Sequence, residues 1–340
     1  MSQSIAGFDL PLMDEGDKLN RVLASALGDQ LPTAGQKATY LYREVRQLPQ
    51  PYWDATHFSL ERVAIFQDAS EAEQQAIAQI ASQGLLAEAY LVEKAGMGYM
   101  AKMLLLAETL EERMLYSLFA AEEAAHLAQI RKFFDGPPSP PILGGTKSDL
   151  FSPQHIALAG IPERGDGGAE KEPTSTDDPF LRFLSDLLET EDKAILLFII
   201  QVVLEGWGLS HYRTLAKGCR HLELGQLFEQ FLQAEARHHG SGLILFNQIS
   251  LSKPSQSAIV EALTLFLRMV QVGPQRVLSA IAQVKGDLSR SQQIQVLQEL
   301  ETEIQSGARL SYLRSLMQKT TAHAIVQELE EQGSFQPFPA

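Results

Sequence analysis

Three residues of this chain recur together at one fixed spacing. Glu123 and His126 stand in Glu-Ala-Ala-His, Glu235 and His238 stand in Glu-Ala-Arg-His, and thirty residues before each of these glutamates lies another, Glu93 and Glu205. The steps from 93 to 205, from 123 to 235 and from 126 to 238 are all 112 residues. A single Glu-x-x-His pair means little, since about 0.7 is expected by chance and its ordinary reading is a solvated helix face. The joint recurrence has a chance of roughly one in a thousand on composition. The chain therefore reads as two copies of one helical hairpin.

Capping signals set the hairpins. Ser70-Glu71-Ala72-Glu73 is a capping box that opens a helical pattern running to about Glu108, and Thr109-Leu110-Glu111-Glu112 is a second box whose helix ends near Phe134. Glu93 lies 16 residues before Thr109 and Glu123 lies 14 after it. An antiparallel hairpin thus returns Glu123 to the height of Glu93, some ~21 Å from the turn at 1.5 Å per residue. The second half repeats this around residues 217–219. Asp178-Pro179 places an N-cap before a first-turn proline, and the third helix then runs to Gly218 with a kink near Thr190. The fourth covers about 222–247.

Glu and His three residues apart share one helix face, and the surrounding positions are apolar: Leu86, Ala89, Phe119, Phe198, Val202 and Phe228 among them. Four carboxylates in such a core cannot stay ionised and unpaired. Two divalent cations, bridged by glutamate and each held by one histidine, resolve the conflict. Glu93, Glu123, His126, Glu205, Glu235 and His238 are the candidate metal ligands.

The rest of the chain sets limits. Its ordered stretches have helical periodicity and no hairpin dipeptide lies between alternating apolar residues, which makes it all-α. Two short helices are expected at 17–27 and 33–47, a Pro/Gly/Ser-rich, partly disordered crossover at 135–178, and three or four amphipathic helices after Pro254, broken at Gly273-Pro274, 286–289 and Gly307, with a frayed tail from Gly333. The domain reading is an N-terminal helical extension (1–68), a central di-metal unit (69–250) and a C-terminal helical extension (251–340). A net charge of -14 counts against nucleic acid and anionic membranes as partners. The single cysteine, Cys219, fits a reducing compartment. Residues 1–16 lack the basic start of a signal peptide, and the apolar run 194–204 is too short to span a bilayer, so a cytoplasmic location is expected.

The constellation resembles the ferritin-like superfamily of carboxylate-bridged di-iron proteins, in which one Glu from each of two helices joins Glu-x-x-His from two others. The likeness covers 81–134 and 181–246. It implies a ferritin-like four-helix bundle with a long crossover between its second and third helices, plus additional N- and C-terminal helices. It also implies two Fe ions (or a Mn/Fe pair), with O2 and a small apolar or amphipathic organic substrate. With no flavin, nicotinamide or Fe–S motif in the chain, an external ferredoxin or reductase would supply electrons. Glu235-Ala236-Arg237-His238 is similar to the core of the D-E-x-R-H motif of the monooxygenase hydroxylases, but Ala234 replaces its leading acid. In the first half Glu122 supplies that acid while Ala125 replaces the Arg. Glu122 is therefore expected to orient His238 across the bundle. Phe231 occupies the place of the third histidine of the N-oxygenases. Glu88, thirty-five residues before Glu123, is an alternative to Glu93.

Tyr116 and Tyr212 lie two turns from Glu123 and Glu205 and are candidate cavity-lining residues or proton and electron donors, with core packing as the bland reading. Asp54-Ala55-Thr56-His57 reads as a loop, and His211, His221 and His239 as polar-face or supporting residues. Gly96, Gly98, Gly206 and Gly208 allow either close helix approach or room beside the metals. The leading expectation is a di-iron oxygenase or oxidase. A ferroxidase or iron-handling protein and a metal-stabilised, non-catalytic interaction protein are the alternatives. For the C-terminal helices, closing a cavity, forming a homodimer face and docking an electron donor all remain open.

Overall fold

A computed structural model describes residues 50–134 and 179–338. The helices expected at 17–27 and 33–47, the 135–178 crossover with Asp178, and the last two residues lie outside the described residues. Among the described residues every regular element is helical. After a turn at His57, which Asp54 holds through its carboxylate, come α1 (Ala64–Gln67) and α2 (Glu71–Leu106). The 36 residues of α2 contain no proline, and Ser70 forms the full capping box with Glu73. Buried Leu86, Ala89, Glu93, Met100 and Met103 lie on one side of α2, so Glu93 is carried inside by the face that packs on the bundle, while Ile77 and Ala81 near the start of the helix face a different cluster.

Helix α3 (Leu110–Arg131) follows after a short turn. Thr109 accepts the Glu112 N–H, but the expected second box is only half formed. The Glu112 carboxylate accepts the Glu108 N–H at 2.7 Å and pairs with Lys193 at 2.8 Å, fastening this turn to the second hairpin.

The kink expected near Thr190 is a full break. Helix α4 (Pro179–Leu188) stops, and Asp192 caps a new helix, α5 (Lys193–Gly218), by accepting the N–H groups of Ala194 and Ile195. Asp192 also accepts a 2.6 Å hydrogen bond from Ser255, which anchors the start of α5 to the C-terminal helices. Within α5, Leu197–Leu204 is π-helical and buried from Leu197 to Val203. Sequence periodicity could not show this, because the run Leu-Phe-Ile-Ile-Gln-Val-Val-Leu is apolar on every side except at Gln201. Helix α5 is long and apolar enough to cross a membrane by length and composition, yet here it is largely buried against its neighbours.

Helix α6 (Leu222–Phe246) is capped by the His221 side chain, which accepts the Leu224 N–H. Five helices rather than three or four then follow: α7 (Lys253–Val272), α8 (Gln275–Lys285), α9 (Arg290–Glu299), α10 (Thr302–Met317) and α11 (His323–Glu331). The breaks at Gly273-Pro274 and Gly286 occur as expected, but Gly307 lies inside α10. The real break is at Glu301, whose φ of 53° turns the chain and whose carboxylate pairs with Arg62. The expected fraying from Gly333 is also corrected. Gln271 donates to the carbonyls of Ser334 and Gln336 at 3.3 and 2.6 Å and holds the tail down.

One apolar cluster joins α2–α7 with α10 and α11, a second joins α1, α2, α8 and α9, and a third closes the far end of the hairpins around Trp53, which donates to the Leu215 carbonyl. At the centre, buried Gln201 fills every hydrogen-bonding position of its amide. It accepts from Tyr99 and Tyr116 at 2.7 and 2.9 Å, and it donates to the His238 carbonyl and the Ser241 hydroxyl, each at 2.8 Å. Four helices meet through this one side chain. Gly242 permits it, because a Cβ there would lie 2.7 Å from Gln201 Cγ and 2.9 Å from its Cβ, atoms with no room to retreat. Gly242→Ala is therefore expected to cost about 1–3 kcal/mol. The readout is a lower urea midpoint with an unchanged slope; an unchanged midpoint would contradict the close approach of α5 and α6.

Candidate metal centre

The six repeated residues converge from four helices: Glu93 from α2, Glu123 and His126 from α3, Glu205 from α5, Glu235 and His238 from α6. They form two groups that could each hold a metal ion. Glu93, Glu123, His126 and Glu235 make one, and Glu123, Glu205 and His238 make the other, with ligand atoms inside each group all within 4.8 Å of one another. Glu123 belongs to both, the position a bridging carboxylate would take. Gly96 makes room for it, since a Cβ there would meet Glu123 Oε2 at 2.6 Å.

Both histidines turn Nδ1 inward. His126 Nδ1 lies 3.0 Å from Glu93 and 3.8 Å from Glu235, and His238 Nδ1 lies 3.1 Å from Glu123 and 3.8 Å from Glu205. The His238 ring is fixed from behind by Glu122, 3.0 Å from Nε2, and Glu122 in turn takes Arg237 at 2.5 Å. This is the contact between hairpins expected from the divided motif. His126 is steadied differently, stacked on Phe231 with ring centroids 3.9 Å apart.

Glu88 is not in the cluster; it pairs with Arg276 of α8 at 3.2 Å. Tyr212 donates to Glu93 and so touches the site, whereas Tyr116 reaches it only through Gln201. His211 stacks on Trp207 and His239 fills the space beside Gly206. Gln201 is the residue that sequence reading missed. A lone glutamine in an apolar run was its one visible signal.

The electrostatics follow from burial. Burial and the neighbouring Glu93 push Glu123 well above the usual carboxylate range, and burial with Glu205 does the same to Glu235. Burial opposes ionisation of Glu205 too, but its hydrogen bond with Glu235 and the nearby His238 outweigh it and hold Glu205 low. Burial would also lower His238, yet Glu123 and Glu205 carry it up to about 11. Of this pair, Glu235 therefore holds its proton more tightly than Glu205 does. Even so, Glu123 Oε1 and His238 Nδ1 are buried without a well-directed hydrogen bond. Two such buried polar atoms facing each other are what a metal ion would satisfy once it displaces the His238 proton, and an all-oxygen and imidazole donor set fits iron or manganese. Above the carboxylates is a cavity of about 60 Å³ with apolar walls that include Val92, Ile200, Leu204 and Trp207.

No family model, curated protein or solved structure matches this chain.

Two outcomes are expected. Glu123→Ala and Glu235→Ala should lower bound metal, measured by elemental analysis, while Glu88→Ala should not; full occupancy in the first two would remove them as ligands. For the metal-free protein, Glu123, Glu235 and His238 bind protons more tightly folded than unfolded. Stability should therefore fall as pH rises from about 6.5 toward about 11, the span between the ordinary histidine value and that of His238, whereas Glu205, held low, adds a pH dependence only below the ordinary carboxylate value of 4.5. Metal displaces those protons, so the gain in Tm on loading should grow over the same range. A gain that shrinks with pH would contradict the assignment.

Proposed function

We propose that the chain is a di-iron oxygenase or oxidase built on a ferritin-like four-helix bundle, acting on a small apolar or amphipathic organic molecule. The observation that carries this reading is the pair of ligand groups sharing Glu123 beneath a small cavity with apolar walls. Glu93, His126 and Glu235 would hold one metal, Glu205 and His238 the other, and Glu123 both. Two iron ions there would supply reduction of O2 coupled to oxidation of a substrate C–H or heteroatom bond. A Mn/Fe pair is accommodated by the same donors.

The protein's own groups do the rest. The walls of the small cavity keep bulk water from the carboxylates, which strengthens every charge interaction within. Burial and the facing Glu93 and Glu235 hold the Tyr212 phenol well above its ordinary value, so it stays protonated and pins Glu93 by donating to it. Glu122, tied to Arg237, holds Nε2 of His238 and leaves Nδ1 pointing at the site. Electrons would come from a separate ferredoxin or reductase.

The test is direct. The metal-free protein, loaded anaerobically with two equivalents of Fe(II) and mixed with O2, is expected to consume oxygen and develop visible absorption on a stopped-flow timescale. Failure to bind Fe(II), or binding without oxygen uptake, would overturn the reading. Continued oxidation of many equivalents of Fe(II) with iron retained in the protein would favour an iron-handling role instead.

A further inference from the structure

The C-terminal helices, silent in sequence, build one wall of a second cavity of about 610 Å³. That is in the range of roughly 300–1,000 Å³ typical of small-molecule sites. It borders the small cavity at the carboxylates, since Phe180, Trp207 and His211 line both. Its walls are largely apolar, but α7, α8 and α10 bring Arg268, Arg276 and Arg309 to it, opposed by one lining carboxylate, Glu88. Glu88 is taken by Arg276 at 3.2 Å. In a chain of net charge -14, this concentration of guanidinium groups runs against the overall field.

Two buried atoms of the lining lack partners among the described residues. One is Nε of Arg268, whose guanidinium sits 5.2 Å from the Phe338 ring centre; the other is Nε2 of His211, at the junction of the two cavities. A buried guanidinium donor without an acceptor is a costly arrangement that a bound anion relieves, and the planar fork of arginine suits carboxylate or phosphate.

We propose that this cavity is a substrate pocket for an organic anion with an apolar tail, its carboxylate or phosphate head held by Arg268, Arg276 and Arg309 and its tail directed past Phe180 and Trp207 toward the carboxylate cluster. The inference rests on the di-iron reading for the fate of the tail, but binding itself needs no metal. Atoms of the substrate near His211 would meet a neutral imidazole, because burial lowers its pKa despite Glu88.

The experiment titrates the metal-free full-length protein with octanoate, octyl phosphate, octanol and octylamine, following Trp207 emission with Trp207→Phe as the signal control. One or both anions should bind saturably, the tighter identifying the head group, with octanol at least roughly 10-fold weaker and octylamine silent. Arg268→Gln and Arg309→Gln should each weaken anion binding by roughly 10-fold or more while Fe(II) loading is unchanged. Octanol binding as tightly as the anions, or anion affinity indifferent to both substitutions, would overturn the pocket assignment. Anion binding that behaves as expected in a protein that takes up no Fe(II) would leave the pocket standing and remove the di-iron reading, so the two can fail separately.

Discussion

Four carboxyl groups and two imidazoles share one water-poor centre, and the rest of the molecule is arranged around keeping them there. An isolated ion in such a place is so costly that proteins neutralise it or pair it. The compromise runs residue by residue: burial and neighbouring carboxylates push Glu123 and Glu235 up, Glu205 is held low, His238 is carried up to about 11 facing Glu123, and Glu123 Oε1 has no hydrogen-bond partner among the described residues. The residues that surround the centre are those that can tolerate or steady such groups. Phe231 stacks on His126, Tyr212 donates to Glu93, and Gly96 yields its side-chain volume to Glu123.

Positioning is delegated to groups that do not touch the centre. Gln201 lies in the π-helical stretch of α5 and spends its whole amide on Tyr99, Tyr116, the His238 carbonyl and Ser241. A π-helical segment interrupts the regular i to i−4 ladder and rotates the downstream residues around the helix axis, a device common at functional sites. Glu205 is the first residue after that segment. The angle at which it faces His238 and Glu235 is therefore set jointly by the local winding and by the contact at Gly242.

Much of this was legible in the residues alone because its signals are local or periodic. The Ser70 box, the Thr109 turn and the 112-residue offset are short-range patterns, and they placed all six clustered residues together. The features that escaped needed three dimensions. A wholly apolar stretch carries no periodicity from which a π turn could be read, so Gln201 stood out only by its polarity. Gly307 misled because glycine marks helix ends only when the backbone must turn there; Glu301 makes that turn instead, held by Arg62. The arginines of the second cavity lie on three separate helices and meet Glu88 from a remote part of the chain, and no spacing rule links them.

The support for His238 divides one device between the two hairpins. Glu122 belongs to the first hairpin, whereas His238 and Arg237 belong to the second. Each hairpin carries a part that the other lacks: Ala125 stands where the second has Arg237, and Ala234 where the first has Glu122. A symmetric pair of first hairpins would lack the arginine, and a symmetric pair of second hairpins would lack the acid. The two hairpins are thus complementary rather than redundant, and neither could replace the other.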